Sequence, residues 1–372
     1  MSTSSIPMYE QIQNELMEQI QSGVFQPGDR IPSEKELAER YHVSRITAVK
    51  ALTELALNGY IYRVQGRGSF ANPLDKHLKP SALKLGGVPK NDGEPRPVSV
   101  LIPEHADYHS GSIIQGITQT LQYPECFVHL VLTHSNQLEE YALEQALKSG
   151  CAGVILFSVD CEVYSDTILR MHLNKFPLVL IDRCFPGIQS SCVCCDNEKG
   201  GWLAVEHLLS LGHRNICFIA DSSFREQVTS VRYGAYVAAM TAQQLPLHAV
   251  ERFNPQTFSQ EEMERLLNAI RAREITAALV SNSHAAEWLL ELCQTGGIRI
   301  PEELSVVCFD QPRIFQGMEP LFTYVEQNSF EMGRRAAELL REAFETGQEH
   351  ACQKLVLEPK LMIHHSTQTF VK

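Results

Sequence analysis

No apolar run in this 372-residue chain approaches the ~18–20 residues that cross a bilayer as a helix, so no membrane span is expected. The opening segment, MSTSSIPMYEQIQ, lacks a basic stretch followed by an apolar one, so no export leader is expected and the cytoplasm is the expected location. Cysteine is missing from the first 125 residues, and the eleven present are scattered from Cys126 to Cys352. An odd number so distributed fits reduced thiols used as small buried apolar residues, not a disulfide framework. Cys192-Val193-Cys194-Cys195 is the one metal-like cluster, and no nearby His or CxxC completes a tetrahedral set, so no metal is expected. There is no GxxxxGK[ST], no GxGxxG after a strand, and no nucleophile motif or paired acid–base set. Those absences argue against an enzyme and against a bound cofactor.

What remains is an ordinary globular composition, 44% apolar and 20% charged, long enough for two or three domains. The formal charge of −12 is unevenly spread. Residues 1–72 hold 7 Lys+Arg and 8 Asp+Glu, whereas the other 300 residues hold 25 and 36. Within 44–70 the balance reverses, with Arg45, Lys50, Arg63 and Arg67 against Glu54 alone. Met8, Ile12, Leu16 and Ile20 recur every four residues, the apolar stripe of a first helix. Gly23 ends that helix, and Pro27-Gly28 turns the chain. Ser33 with Glu36 forms a capping box for a short helix to about Tyr41. After a turn at His42-Val43, Ser44 caps another helix that runs to Asn58, before Gly59. Ala48, Ala51, Leu52 and Leu55 make its buried stripe, which leaves Ile46, Thr47, Lys50, Thr53 and Glu54 facing outward. Short strands at 60–64 and 69–71 flank Gln65-Gly66-Arg67-Gly68, a basic hairpin tip. A helix of this size fits a DNA major groove, and such a tip reaches nearby phosphates or the minor groove.

From 72 to 97 the chain carries five prolines, three glycines and scattered Lys residues, the composition of an extended linker. Beyond Pro97, apolar strands at 98–102, 127–132, 152–158, 178–182, 215–220, 277–281 and 304–310 alternate with amphipathic helices at 112–121, 137–149, 197–211, 228–242, 259–272, 284–295 and 329–346. That alternation predicts parallel sheet covered on both faces. About 275 residues exceed one such sheet, so two similar lobes are expected. The domains are therefore set at 1–72, 73–97 (linker) and 98–372.

Tyr9, Pro32-Ser33-Glu34, Leu37-Ala38, Val43-Ser44-Arg45, Thr47, Ala51-Leu52, Leu55, Gly59 and Gly66-Arg67-Gly68-Ser69-Phe70 stand in an order that closely resembles the winged helix-turn-helix of the GntR family of bacterial regulators. The resemblance implies DNA contacts from Lys35, Ser44, Arg45, Ile46, Thr47, Lys50, Arg67 and Gly68. Arg45, at the start of the recognition helix, is the candidate to read a guanine through O6 and N7. Ser44 and Thr47 can donate to phosphate or a base edge, and Ile46 can meet a thymine methyl. Lys35 matches a basic position that the family places on the backbone. Arg67 reaches out between two glycines that do not obstruct it. The family's second arginine is Val49 here, so that contact cannot be carried over.

The remainder resembles the effector domain of the LacI/GalR family, related to periplasmic sugar-binding proteins. The matching pieces are Asp196-Asn197 with Gly200, the run 206–213, Arg232, Asn282, Ile300-Pro301-Glu302, Leu304 to Asp310, and Pro359-Lys360-Leu361. A GntR head on such a body is the arrangement of the arabinose-repressor-like subgroup. The implied fold is α/β, a winged helix-turn-helix followed by a two-lobed parallel-sheet, periplasmic-binding-protein-like domain. Ligands of such folds bind at the carboxyl ends of the strands. Arg232, Asn282 and Asp310 match family ligand positions; Tyr108, Asp160, Arg183, Asp221, Phe224 and Gln327 lie near other strand ends. The family's Asn-Asp pair is Asn282-Ser283 here, so the effector cannot be copied from relatives.

The expected function is that of a homodimeric, ligand-responsive transcription regulator, a repressor that releases double-stranded operator DNA when a small polar effector, a sugar, binds. A solute-binding protein and a sugar-acting enzyme are the alternatives. The attached head opposes the first, and the missing catalytic set opposes the second.

Overall fold

The computed structural model describes residues 8–26, 28–57, 60–64, 68–71, 94–104, 107–159, 165–185, 188, 190–224, 226–254, 256–312, 321–346 and 352–371. The chain divides into two compact units, Met1–Gly87 and Val88–Lys372.

The first unit contains α1 (Met8–Gln21), β1 (Arg30–Ile31), α2 (Glu34–Tyr41), α3 (Arg45–Leu57), β2 (Ile61–Val64) and β3 (Gly68–Ala71). Ile12, Leu16 and Ile20 are buried, whereas Met8, in the first turn, is exposed. The Ser33–Glu36 capping box starts α2, and His42 ends it in the left-handed region, donating its N–H to Ala38. Ser44 starts α3 by accepting the Thr47 N–H at 3.2 Å. Ala48, Ala51, Leu52 and Leu55 then face the core with α1 and Leu37. Unexpected from sequence is β1, which makes the wing a three-stranded antiparallel sheet in the order β1-β3-β2. Two residues give almost no periodicity to read, and only the pairing of Arg30 with Phe70 and of Ile31 with Ser69 identifies them as strand.

The second unit runs β4 (Arg96–Pro103), α4 (Tyr108–Thr120), β5 (Cys126–Thr133), α5 (Asn136–Lys148), β6 (Gly153–Leu156), α6 (Asp166–Leu173), β7 (Leu178–Ile181), β8 (Ser191–Cys195), α7 (Asn197–Ser210), β9 (Ile216–Ile219), α8 (Gln227–Ala242), β10 (His248–Val250), α9 (Gln260–Arg271), β11 (Ala277–Val280), α10 (Ser283–Thr295), β12 (Ser305–Phe309), β13 (Thr323–Glu326), α11 (Ser329–Thr346), β14 (Lys354–Leu357) and β15 (Lys360–Met362). The first strand starts at Arg96, inside the segment expected to be linker. The strands form two six-stranded sheets, β14-β8-β7-β6-β4-β5 and β10-β9-β11-β12-β13-β15. The first is wholly parallel; in the second only β15 runs antiparallel. Each sheet is packed on both faces by its own apolar clusters. This is why strands such as β6, β7, β9 and β11 are buried at every position. The chain crosses between lobes after β8, after β13 and after β14. No described helix is long and apolar enough to cross a membrane.

One close packing is decided by glycine. A Cβ on Gly116 of α4 would stand 2.1 Å from the Phe330 carbonyl oxygen, and one on Gly333 of α11 would stand 2.1 Å from that of Ile113. Gly111, also on α4, has nothing within 4 Å. Gly333→Ala should therefore destabilise the body by about 2–3 kcal/mol, the cost of overpacking against backbone that cannot yield. Gly111→Ala should be neutral or stabilising by up to ~1 kcal/mol through helix propensity. Urea denaturation of the two variants checks this pair.

The expectation of reduced thiols needs correction. Cys184 and Cys192 form a disulfide. The chain leaves β7, turns back, and returns as β8 with Leu180 opposite Cys192, which brings Cys184 over the neighbouring strand. Cys126, Cys151, Cys194, Cys195, Cys217, Cys293 and Cys308 are free and buried, as expected; Cys352 is exposed.

Candidate functional site

Between the lobes, where strands of both sheets end at their carboxyl termini, lies a cavity of about 530 Å³. That size suits a small polar ligand. Two strand-end carboxylates carry the geometry. Asp182 follows β7 and Asp310 follows β12, with left-handed φ values of 64° and 61°. Non-glycine residues seldom adopt that conformation, and here it swings both side chains off their strands. Both are more than nine-tenths buried.

His109 of α4 lies between them, its Nδ1 3.5 Å from Asp310 Oδ1 and its Nε2 3.8 Å from Asp182 Oδ1. Nδ1 also lies 2.8 Å from the Ser329 hydroxyl. Burial opposes the charged imidazole, but Asp310 and Asp182 outweigh it and hold His109 above its ordinary value. Burial lifts Asp310 above the usual carboxylate range, against the pull of His109 and Arg232. Gln327, after β13, donates its amide to both oxygens of Asp310 at 2.9 and 2.8 Å.

Arg232 of α8 is buried, donates from Nε to Asn197 Oδ1 at 2.7 Å and from Nη1 to the Ser281 carbonyl at 2.5 Å, and lies over the Phe309 ring. Arg183 joins the lobes. Its Nη2 pairs with Glu226 at 2.7 Å and its Nη1 donates to the Val159 carbonyl at 2.7 Å. Beside it, Gln227 donates across to the Cys184 carbonyl at 3.0 Å. Asn282 caps α10 through Ala285 and donates to Asp221 at 2.8 Å. Among the described residues, Asp182 Oδ1, His109 Nε2, Ser281 Oγ and Gln327 Oε1 are buried without a hydrogen-bond partner.

Six residues expected at a ligand site therefore meet in one cleft: Arg183, Asp221, Arg232, Asn282, Asp310 and Gln327. Two others need correction. Tyr108 is the first residue of α4 and is half exposed, and its neighbour His109 takes the inward position. Phe224 stacks on Tyr233 at 4.3 Å, next to Phe218, and belongs to the second lobe's core. Asp160 lies outside the described residues. Sequence reasoning missed His109, Asp182 and Glu226. A carboxylate closing an apolar strand, as at Asp310, was a signal that could have found Asp182.

In the first unit Arg45 is exposed at the start of α3, with Ser44 exposed beside it and Thr47 part-buried. Lys35 is exposed, 4.0 Å from Glu39. Lys50 is part-buried, its ammonium over the Tyr9 ring at 3.4 Å, so the structure gives it an internal partner that the sequence did not announce. Val49 is part-buried at the edge of the core stripe. Gly68 opens β3 with φ +108°, where a Cβ would also stand 3.2 Å from Arg30 Nε. Arg67 lies outside the described residues, and for Ile46 only the backbone is described.

Residues 8–70 match the model of the gntR family of bacterial regulatory proteins, and residues 205–367 match that of a periplasmic binding protein-like domain. The arabinose metabolism transcriptional repressor of Geobacillus stearothermophilus is 26% identical over 99% of this chain and 100% of its own length. That of Halalkalibacterium halodurans is 27% identical over 96% of each. Among solved structures, a LacI family transcriptional regulator from Enterococcus faecium with bound ribose superposes with a TM-score of 0.63 at 23% identity, covering 74% of this chain and 100% of that one. These relatives are transcription regulators, not enzymes. The chain is accordingly a transcription regulator that joins a GntR-type helix-turn-helix head to a LacI-type, periplasmic-binding-protein-like body, a distant homologue of the arabinose metabolism repressors.

Proposed function

We propose that this regulator is a cytoplasmic repressor that binds a pseudo-palindromic operator as a homodimer and is released when a sugar fills the interlobe cleft. Residues 1–72 act as the DNA-binding head, 73–97 as the linker, and 98–372 as the effector-binding and dimerising body. Arg45, Ser44, Ile46 and Thr47 supply the base-side contacts of α3; Lys35, Lys50, Arg67 and Gly68 supply the backbone or minor-groove side. Asp310, Arg232, Asn282, Arg183, Asp221 and Gln327 hold the sugar, together with His109 and Asp182.

The observation that carries this reading is the set of buried cleft atoms that make no hydrogen bond within the described protein, Asp182 Oδ1, His109 Nε2, Ser281 Oγ and Gln327 Oε1. Such atoms are costly to bury unless something else satisfies them. A polyhydroxylated ligand supplies donors and acceptors together. Relatives of the chain are named as arabinose repressors, and one structural neighbour holds ribose; both point to a small sugar.

The test begins with an operator selected from genomic DNA by the full-length chain. Its affinity is then measured by fluorescence anisotropy with and without each sugar that raises the melting temperature. The expected result is at least ~10-fold weaker operator binding at saturation, a coupling of about 1.4 kcal/mol. Linkage requires operator to weaken the sugar by the same factor. A sugar that binds tightly but leaves operator affinity unchanged would refute induction.

A further inference from the structure

Three sulfurs meet beside the cleft without lining it. The Sγ atoms of Cys184, Cys192 and Cys194 lie within 4.8 Å of one another. Side chains alternate along β8, so Cys192 and Cys194 share the face that packs into one apolar cluster of the first lobe, and Cys195 turns to the other. Cys184 stands beside the first of these clusters, bonded to Cys192. Cys194 is free, and burial lifts its thiol above the usual range, so it stays protonated next to the bond.

The bond is placed to act on the cleft. Cys184 directly follows Asp182 and Arg183, which both line it. The Cys184 carbonyl accepts the Gln227 amide at 3.0 Å, and Arg183 pairs with Glu226 at 2.7 Å. Glu226 and Gln227 stand at the start of α8 in the second lobe, so both contacts cross between lobes. Tying Cys184 to β8 fixes the backbone from which both are made. With the bond open, ordering that segment costs conformational entropy, and both crossing contacts weaken. In the cytoplasm proposed for this chain, thiol reductants keep most cysteines reduced, and a disulfide there usually belongs to a redox-responsive site. Cys184 is part-buried and Cys192 buried, so a small thiol meets the Cys184 sulfur first.

We propose that Cys184 and Cys192 form a reversible thiol–disulfide site through which the redox state of the cell acts on operator binding. The oxidised pair favours lobe closure and lowers operator affinity; the reduced pair restores it. The direction rests on the proposed release of operator when the cleft fills, with closed lobes as the releasing state. In reduction, a glutathione thiolate attacks the Cys184 sulfur, the S–S bond breaks, and Cys192 leaves as a thiolate that takes a proton. A second glutathione thiolate attacks the mixed disulfide, freeing Cys184, which takes a proton, and giving glutathione disulfide. Two electrons pass to the pair, and oxidation is the reverse, with glutathione disulfide as acceptor.

The test uses the full-length chain with Cys161→Ser and Cys352→Ser, because Cys161 lies outside the described residues and Cys352 is exposed. It is equilibrated without sugar in glutathione buffers from fully reduced to fully oxidised. Alkylation and mass spectrometry read the Cys184–Cys192 bond, and anisotropy reads affinity for the selected operator. The bond should form and open reversibly, and operator should bind about 5-fold or more weaker at the oxidised end. Adding Cys184→Ser, which removes the sulfur that both Cys192 and Cys194 can reach, should hold affinity at the reduced value in every buffer. A bond that never formed, or that persisted at the reduced end as a structural staple, would overturn the proposal. So would equal or tighter operator binding in the oxidised chain, or a redox response that survived Cys184→Ser. No sugar enters these measurements, so their failure leaves the sugar titrations standing, and sugars that failed to release operator would leave the redox result readable.

Discussion

An Asp310→Ala chain should bind its operator as tightly as the parent and no longer release it at any practical sugar concentration. Asp310 is an acceptor-only group with two oxygens at a strand end, the form that holds two vicinal hydroxyls at once. Hydrogen bonds to a charged group contribute ~1.5–3 kcal/mol each. Losing two should weaken the sugar by at least ~100-fold. The substitution also strips Gln327 of both its acceptors and His109 of a carboxylate 3.5 Å away. Asp310→Asn separates these roles, since its amide oxygen still accepts from Gln327 while the charge is gone. His109 is held above 6.5 by Asp310 and Asp182 in spite of burial. A raised folded value stabilises the fold fully below the unfolded pKa and is lost as pH rises through the folded one. The parent should therefore lose stability above pH 6.5, and Asp310→Asn should show a smaller loss over the same range. Anisotropy with sugar and denaturation against pH read the two effects apart. Induction that survived in Asp310→Ala would remove this residue from the site.

Six of the nine residues expected around the ligand do meet in the cleft, and the misses show what a linear reading lacks. The strand ends at 178–182 and 304–310 were legible, because runs such as Leu178–Ile181 are continuously apolar and stop at a charged residue. The choice between neighbours was not. Arg183 was named while Asp182 was passed over, although the two share the cleft. Tyr108 was named where His109 turns inward, since placing the helix start at 112, four residues late, loses the 100° step that separates adjacent side chains. Phe224 fell near a strand end too, but a ring that can stack on Tyr233 gains more by joining the core. Strands β10, β13, β14 and β15 are not legible as strands. They are three or four residues long, and β14 and β15 follow α11 to opposite sheets, a pairing that no local pattern encodes. The Cys184–Cys192 bond depends on the same return of the chain between β7 and β8.

In the head, Arg45→Ala should cost ~10–100-fold in operator affinity and relax selectivity at one position of each half-site. Arg45 opens α3 beside the Ser44 cap and is exposed, so its fork is free to reach a base edge without breaking any contact of the fold. A bidentate arginine–guanine pair contributes ~1–3 kcal/mol of discrimination. The effect should be large for this chain in particular. Val49, at the edge of the core stripe, offers no charge to DNA, and Lys50 leans on the Tyr9 ring. Few cations remain to share the work, on a chain of net charge −12. Lys35→Ala makes the contrast. A phosphate contact should weaken cognate and random DNA alike and lower the slope of log affinity against log salt by about one. Arg45→Ala should instead erase preference at one base pair. Titrations of the selected operator and its single-base variants at several salt concentrations distinguish the two. If Arg45→Ala weakened every sequence equally, Arg45 would be a backbone contact, and recognition would have to rest on the wing and the rest of α3.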